Sequence, residues 1–311
     1  MSHFRILCLG AGDGWHAQQL DEASKQLDCQ IEFSTYESLR SSIVNDTPTF
    51  ECEVGRLDNF DVLLTRTMPA GSLEQVTFRL AILHAVVQTG IIKVVNEPSA
   101  LEIAIDKFAT LQRIAAMGFP VPDTAVAQSR RDAMDAFHRL GGDCVVKPVF
   151  GGEGRGVMRI CDAELAWTAF STLENLNAIC YVQRFVPPGG ADTRLLVIGD
   201  TVRAIRRTNP REFRTNVSHG GRCEAIALDD QQEQMATRIC REIGLRFASV
   251  DLLHFDQGPP KVIEVNGIPG WKGAQSVTTD KIAAGIITEL KRQFASPGTP
   301  GPMSPKGSIK P

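Results

Sequence analysis

At 311 residues the chain is too long for one small core and fits two or three compact lobes with a cleft between them. A composition of 43% hydrophobic and 22% charged residues is that of an ordinary soluble globular protein, and no apolar run approaches the roughly 20 residues that cross a bilayer, so no membrane span is predicted. A net charge of −3 argues against a nucleic-acid surface and leaves anionic ligands to local arginines.

The chain enters a strand-like stretch at Phe4 without the basic segment, apolar core and cleavage site of a signal peptide, so the expected compartment is the cytoplasm. The eight cysteines are scattered, with no C-x-x-C pair, and read as reduced thiols in packed positions. Strand signals at FRILCLG (4–10), QIEFSTY (30–36), DVLLTR (61–66) and IIKVVN (91–96), with a helical pattern from Leu73 to Thr89, predict a small parallel α/β lobe. NEPSALEIAIDKFATLQRIAAMG carries helical periodicity up to Gly118 and reads as one linker helix, followed by the extended FPVPDTAV. From Asp143 the short runs CVVKPVF, GVMRI, CYVQRFV, TRLLVIGD and TVRAIRRT, with helices near 162–174 and 229–243, predict an antiparallel sheet backed by helices. The last stretch, 296–311, is rich in Pro, Gly and Ser and is expected to be disordered.

Two motifs carry the chemistry. In CVVKPVFGGEGRGV (144–157) a strand bearing Lys147 runs into a loop with Gly151, Gly152, Gly154 and Gly156, and a second strand follows. Glycines let backbone amides approach phosphate oxygens. A dinucleotide fingerprint or P-loop would place a helix after the glycines, so the loop reads as a hairpin flap over phosphates, with a plain glycine-rich turn as the alternative. In SVDLLHFDQGPPKVIEVNGIPGW (249–271) the two-residue period puts Glu264 and Asn266 on one face, and a hairpin sets Asp251 across from them. Oxygen-only ligation of this kind suits magnesium; solvated carboxylates on an exposed face are the alternative. Between the motifs, Arg206, Arg207, Arg214 and Asn216 stand beside Asn and Gly turns, where arginine forks can offset charge on a transferring phosphoryl group.

These residues in this order resemble the ATP-grasp superfamily, and within it the RimK-type α-L-glutamate ligases, over roughly residues 60–292. The resemblance is carried by IDKFAT (105–110), VVKPVFGGEGRGV, YVQRFVPPGGADTRLLVIGD (181–200), FRTNVSHGG (213–221), VDLL (250–253) and IEVNGIPGW (263–271). It implies a mixed α/β (α+β) fold: an N-terminal α/β domain over 1–96 and an ATP-grasp domain over 97–295, whose central lobe and C-terminal antiparallel-sheet lobe clamp Mg-ATP. It further implies that Lys107 and Lys147 touch the ATP phosphates, that Gln183, Arg184, Phe185 and Val186 form the adenine hinge, and that Asp192 lies near the ribose. Arg214 and Asn216 would line the phosphate and metal region, with Arg206 and Arg207 as further catalytic candidates. Asp251, Glu264 and Asn266 would bind magnesium, or manganese in its place. Relatives commonly have Gln-Glu-Tyr at the hinge, so Arg184 is a departure.

The implied chemistry passes the γ-phosphate to a carboxylate, giving an acyl phosphate that an amine attacks. The implied partners are a small carboxylate acceptor and an amino acid, L-glutamate, with a homo-oligomer allowed by the family. TRTMPAGSLEQVTFRL (65–80) and GIPGWKGAQ look like segments of tetrahydromethanopterin glutamate ligases, which suggests a pterin-type acceptor and a substrate-binding Arg66; a structural salt bridge is the other reading of Arg66. The competing functions are addition of glutamate to a protein C-terminus and a non-catalytic ATP-binding regulator. His219, in a glycine turn, reads as structural, or as a group that touches substrate or acts in proton transfer.

Overall fold

The computed structural model describes residues 3–254 and 258–295; the tail at 296–311 lies outside the described residues. Strand β1 (Phe4–Leu9), helix α1 (Trp15–Gln26), strand β2 (Cys29–Ser34), the short strands β3 (Arg40–Val44), β4 (Thr47–Cys52) and β5 (Gly55–Arg56), strand β6 (Val62–Thr65), helix α2 (Leu73–Thr89) and strand β7 (Lys93–Val95) form the N-terminal lobe. Its main sheet is parallel, in the order β2-β1-β6-β7, as the alternating pattern predicts. The ends of α2 follow from local chemistry: Ser72 and Gln75 form a capping box, and Gly90 closes the helix in the left-handed region.

The antiparallel β3-β4-β5 sheet was not anticipated. RSSIV of β3 is exposed along its whole length and shows no in-out alternation. The local signal was Asn45-Asp46, both at positive φ, which is the chemistry of a two-residue hairpin turn.

The expected linker helix is two helices, α3 (Pro98–Ile105) and α4 (Lys107–Ala116). Asp106 breaks the run by taking an extended conformation and accepting from the N–H groups of Phe108 (2.9 Å) and Ala109 (3.0 Å), a cap that is worth more to it than an interior helical position. Lys107 thereby becomes the first residue of a helix.

The expected single antiparallel sheet is two. Strands β8 (Thr124–Ala127), β9 (Cys144–Lys147), β10 (Met158–Ile160) and β11 (Cys180–Arg184) form a small sheet in the order β10-β9-β11-β8, packed by helices α5 (Arg130–Arg139) and α6 (Ala163–Asn175). Strands β12 (Ala191–Ile198), β13 (Thr201–Thr208), β14 (Arg222–Ala225), β15 (Phe247–Leu253) and β16 (Lys261–Asn266) form the larger sheet in the order β14-β13-β12-β15-β16. One of its faces, with Leu195, Val197, Ala248 and Val250, packs on α3, α4 and α7 (Asp230–Ile243). The other face presents Leu196, Ile198 and Phe247 to the N-terminal lobe and to α9 (Ile282–Phe294), which follows the one-turn helix α8 (Lys272–Gln275). Among the described residues no helix is long and apolar enough to cross a membrane.

The lobes are joined by more than apolar contact. Asn96, 2% exposed at the end of β7, donates to the carbonyls of Phe247 and Gly267 (both 2.7 Å) and accepts from the N–H groups of Arg246 (2.7 Å) and Phe247 (3.1 Å). Its amide is fully used by the backbone of the large sheet. Asn96→Ala leaves these buried groups unpaired and is expected to lower the unfolding free energy by about 2–4 kcal/mol in denaturant titration.

Candidate active site

A cleft lies between the small and large sheets, lined by Lys107, Lys147, the glycine flap, residues 183–186 and one end of the large sheet. On the small sheet, Lys147 is 6% exposed; its Nζ donates to Gln183 Oε1 (3.1 Å) and stands 5.1 Å from the centre of the Tyr181 ring. Burial pushes its pKa down to about 8, opposed by Glu264 and reinforced by Lys107. Lys107 is also lowered, first by burial; its Nζ donates to the flap carbonyl of Gly151 and lies 4.0 Å from Glu264. Two ammonium groups, one buried and one half-buried, face the single carboxylate of Glu264, an excess of positive charge that suits an anionic ligand.

The flap runs from Val149 to Val157 between β9 and β10, with Gly151, Gly154 and Gly156 at positive φ. A Cβ on Gly154 would fall 2.7 Å from Asn216 Oδ1, so glycine is required where the flap meets the loop after β13. Asn216 lines the cleft from that loop. Arg214 lines it too, held by Glu212, which also lies 3.3 Å from His219 Nδ1. His219 thus stands in a turn braced by Glu212. Asn209, which sequence reasoning passed over, donates to the carbonyls of Arg214 (2.8 Å) and His219 (3.1 Å) and organises the loop. Its sequence signal was the Asn-Pro pair after a strand.

Along residues 183–186, the expected hinge, Gln183 joins Lys147 to Thr124 through a 2.8 Å bond from its Nε2, and Phe185 and Val186 are buried. The Arg184 side chain is exposed, donating to the Leu140 carbonyl (3.0 Å) and pairing with Asp123 (3.0 Å). Arg184 lines the cleft but its guanidinium is engaged by the Leu140 carbonyl and Asp123.

The large sheet contributes a buried charge array on one face. Arg207 donates to both oxygens of Asp192 (2.7 and 2.6 Å) and to Asp251 (2.7 Å), and Arg194 grips both oxygens of Asp251 (2.8 and 2.7 Å). Thr215 donates to Asp192. Strand register explains the grouping: Asp192 pairs with Arg207, Arg194 with Asp251, and Asp251 with Glu264, so all five share a face. Burial alone would raise the Asp251 pKa, but the two guanidinium groups overcome it and hold the carboxyl at about 2. Arg207 is disfavoured by burial yet raised above its ordinary value by Asp251 and Asp192.

The expected arginine trio is not brought together. Arg206 is exposed and does not line the cleft, because adjacent strand positions face opposite sides. Arg194, which the trio left out, belongs to the array instead. The expected pairing of Asp251 with Glu264 is present, and Ser249 stands opposite Asn266. Asn266 Oδ1 accepts from the Ile268 N–H (2.9 Å), while Glu264 stays half-exposed on the cleft wall. Among the described residues no group of three or more His, Cys, Asp or Glu side chains is placed to hold a metal by itself. Of Asp251, Glu264 and Asn266, Glu264 is the one that lines the cleft with no guanidinium on it, since both Asp251 oxygens accept from Arg194 and Arg207 and Asn266 is not on the lining. One carboxylate fits a magnesium ion that keeps waters and phosphate oxygens as its other ligands. Arg66, the expected substrate residue, lies outside this cleft in the N-terminal lobe.

The RimK-like ATP-grasp domain profile matches residues 104–290, which hold both lysines, the flap, the charge array and the acidic strand pair. The chain belongs to the RimK-like ATP-grasp family. It is 31% identical over 292 residues to a probable alpha-L-glutamate ligase 1 of Hahella chejuensis, covering 92% of this chain and 94% of that one. A tetrahydromethanopterin:alpha-L-glutamate ligase of Methanosarcina acetivorans is 29% identical over 298 residues, covering 84% and 90%. In structure the chain is similar to the ATP-grasp ligase PsnB complexed with its minimal precursor (TM-score 0.73, 21% identity, 92% and 99% covered). It is also similar to a RimK domain protein of Sphaerobacter thermophilus (TM-score 0.70, 21% identity, 92% and 98% covered). This RimK-like protein is thus an enzyme of the ATP-grasp ligase class, forming C–N bonds, and the non-catalytic alternative falls away.

Two tests bear on the array. Arg207→Met strands Asp192 and is expected to cost about 3–5 kcal/mol of stability by chemical denaturation. Because the folded pKa of Asp251, about 2, lies below its ordinary 3.8, its charged form adds stability above that range, and this is lost as pH falls through it. In denaturation curves across acid pH, Asp251→Asn should be less stable at neutral pH and should have a shallower acid decline.

Proposed function

We propose that this RimK-like ligase uses Mg-ATP to activate a carboxylate and joins it to the amine of L-glutamate. The observation that carries the reading is the convergence, in one cleft, of the buried Lys147, the half-buried Lys107, a glycine flap and the acidic strand pair. Lys107 and Lys147 would hold the phosphates, with the flap amides of Gly151 to Gly156 around them. Gln183 to Val186 would take the adenine edge and Asp192 would stand near the ribose. Asp251, Glu264 and Asn266 would hold magnesium, with manganese as another ion that such oxygen donors accept. When bound, the metal neutralises phosphate charge and orients the transferring group.

In the first step a substrate carboxylate oxygen attacks the γ-phosphorus, the bond to the β-phosphate oxygen breaks, and ADP leaves. In the second the glutamate amine attacks the acyl carbon, inorganic phosphate departs and the amine loses a proton. The protein need supply no nucleophile; Arg214 on the cleft wall would offset charge that develops on the transferring group. Arg207 acts one position removed, by fixing Asp192 and Asp251.

For the acceptor, the similarity to the tetrahydromethanopterin:alpha-L-glutamate ligase supports a carboxylated pterin-like cofactor. A peptide or protein acceptor is the second reading, favoured by the fold shared with a PsnB–precursor complex. ADP release with Mg-ATP and L-glutamate, screened against carboxylated pterins, other cofactors and peptides, is expected only in the presence of one acceptor class. Glu264→Ala should reduce it by about 100-fold or more. Release that needs neither glutamate nor acceptor, or that survives the substitution, would overturn the reading.

A further inference from the structure

The N-terminal lobe contains a second cavity, of about 420 Å³, room for an amino-acid-sized ligand. It lies where the parallel sheet changes direction. In the order β2-β1-β6-β7 the chain leaves β1 toward one side and returns on the other at β6, so the carboxyl ends of β1 and β6 border a crevice. Gly10 follows β1 and Arg66 follows β6, and both line the cavity, over a floor that includes Cys8, Leu20 and Phe33.

Arg66 is 9% exposed, and its Nη1 has no hydrogen-bond partner among the described residues. Its Nη2 donates to the Pro269 carbonyl (3.1 Å), and the guanidinium carbon lies 4.8 Å from the Trp271 ring and 5.4 Å from the Phe247 ring. Burial lowers its pKa to about 10, so it remains a cation. A buried guanidinium held by a carbonyl and two aromatic faces, without a carboxylate, is poorly compensated. Among the described residues, the structural salt bridge that the sequence left open for it is not formed.

The rest of the cavity suits an anion. α1 begins here with Gly14 as an N-cap that offers no side chain, and its first turn has no acidic residue. His16 Nε2 accepts from the Trp271 N–H (3.1 Å), which leaves Nδ1 to carry the proton of the neutral ring; burial, Arg66 and Lys272 hold its pKa down at about 4. Among the described residues Glu37 is the one acidic side chain on the lining, and it lies 3.8 Å from Arg79.

We propose that this cavity anchors a substrate carboxylate between the Arg66 guanidinium and the uncapped start of α1. The proposal rests on the ligase reading for the identity of that substrate. Arg66 and His16 touch the loop at Pro269–Trp271, five residues or so beyond Glu264, so the anchor lies within a chain span of at most roughly 25 Å of the acidic strand. The carboxylate belongs either to the incoming L-glutamate or to the end of the acceptor.

Calorimetric titration of the full chain with L-glutamate and with N-acetyl-L-glutamate, whose amine is blocked, separates the two. Arg66→Met should weaken the relevant probe roughly tenfold or more, the scale of a charge-assisted hydrogen bond. Loss of L-glutamate binding alone identifies the amino acid as the occupant, and loss of N-acetyl-L-glutamate binding identifies the acceptor end. Gly14→Asp guards against misfolding: Gly14 has φ −89° and ψ 166°, and a Cβ there meets nothing within 4 Å. An aspartate N-cap should leave the melting temperature no lower while its carboxylate competes for the site. Probe binding that is absent from the wild type, or unchanged in both variants, overturns the proposal. Mg-ADP titrated into the same samples reports the nucleotide cleft independently.

Discussion

The large sheet depends on a row of opposed charges that sit side by side on one face: Arg207, Asp192, Arg194 and Asp251. Each carboxylate is matched by a guanidinium fork, so the row carries no net charge although it is nearly closed to solvent. Bidentate geometry fixes the relative positions of β12, β13 and β15, and it fixes them at the end of the sheet where the cleft opens. A rigid, prepolarised wall is what phosphoryl chemistry needs, because its catalysis rests on placement and field rather than on a protein nucleophile.

The same face changes character along its length. Leu196, Ile198, Ile205 and Phe247 continue it toward the N-terminal lobe, where they join a core shared with Ile6, Leu20, Trp271 and Ile286. Packing therefore runs across residue 96, and Asn96 adds directional bonds at the same seam. Burial and hydrogen bonding together hold the acidic strand pair against the lobe that carries Arg66.

Much of this was legible in the sequence because it is encoded locally. The β-α alternation of the first lobe, the limits of α2 and the pairing of Asp251 with Glu264 follow from periodicity, caps and turn chemistry. What escaped was decided at a distance. Nothing local says that Arg207 faces inward beside Asp192 while Arg206 faces out, since the choice depends on the register of β12 against β13. Arg194 was one arginine among several until β15 brought Asp251 opposite it. The break at Asp106 was a local signal overridden by strong periodicity on both sides, and the β3-β4 hairpin lacked the buried alternation that marks most strands.

The small sheet stands apart in one respect. Its core, built from Phe137, Val146, Phe170 and Val182 among others, draws on α5, α6 and its own strands alone. Its ties to the rest of the protein at the cleft are therefore few: the Phe185–Phe213 ring contact and a set of polar latches. Lys107 is one of them: from the body of the protein it holds the flap carbonyls of Gly151 and Val149. Any anion that enters must compete for that ammonium with the backbone it already binds. Tightness of the empty clamp and affinity for its cargo therefore trade against each other, and a substitution that slackens one is free to sharpen the other.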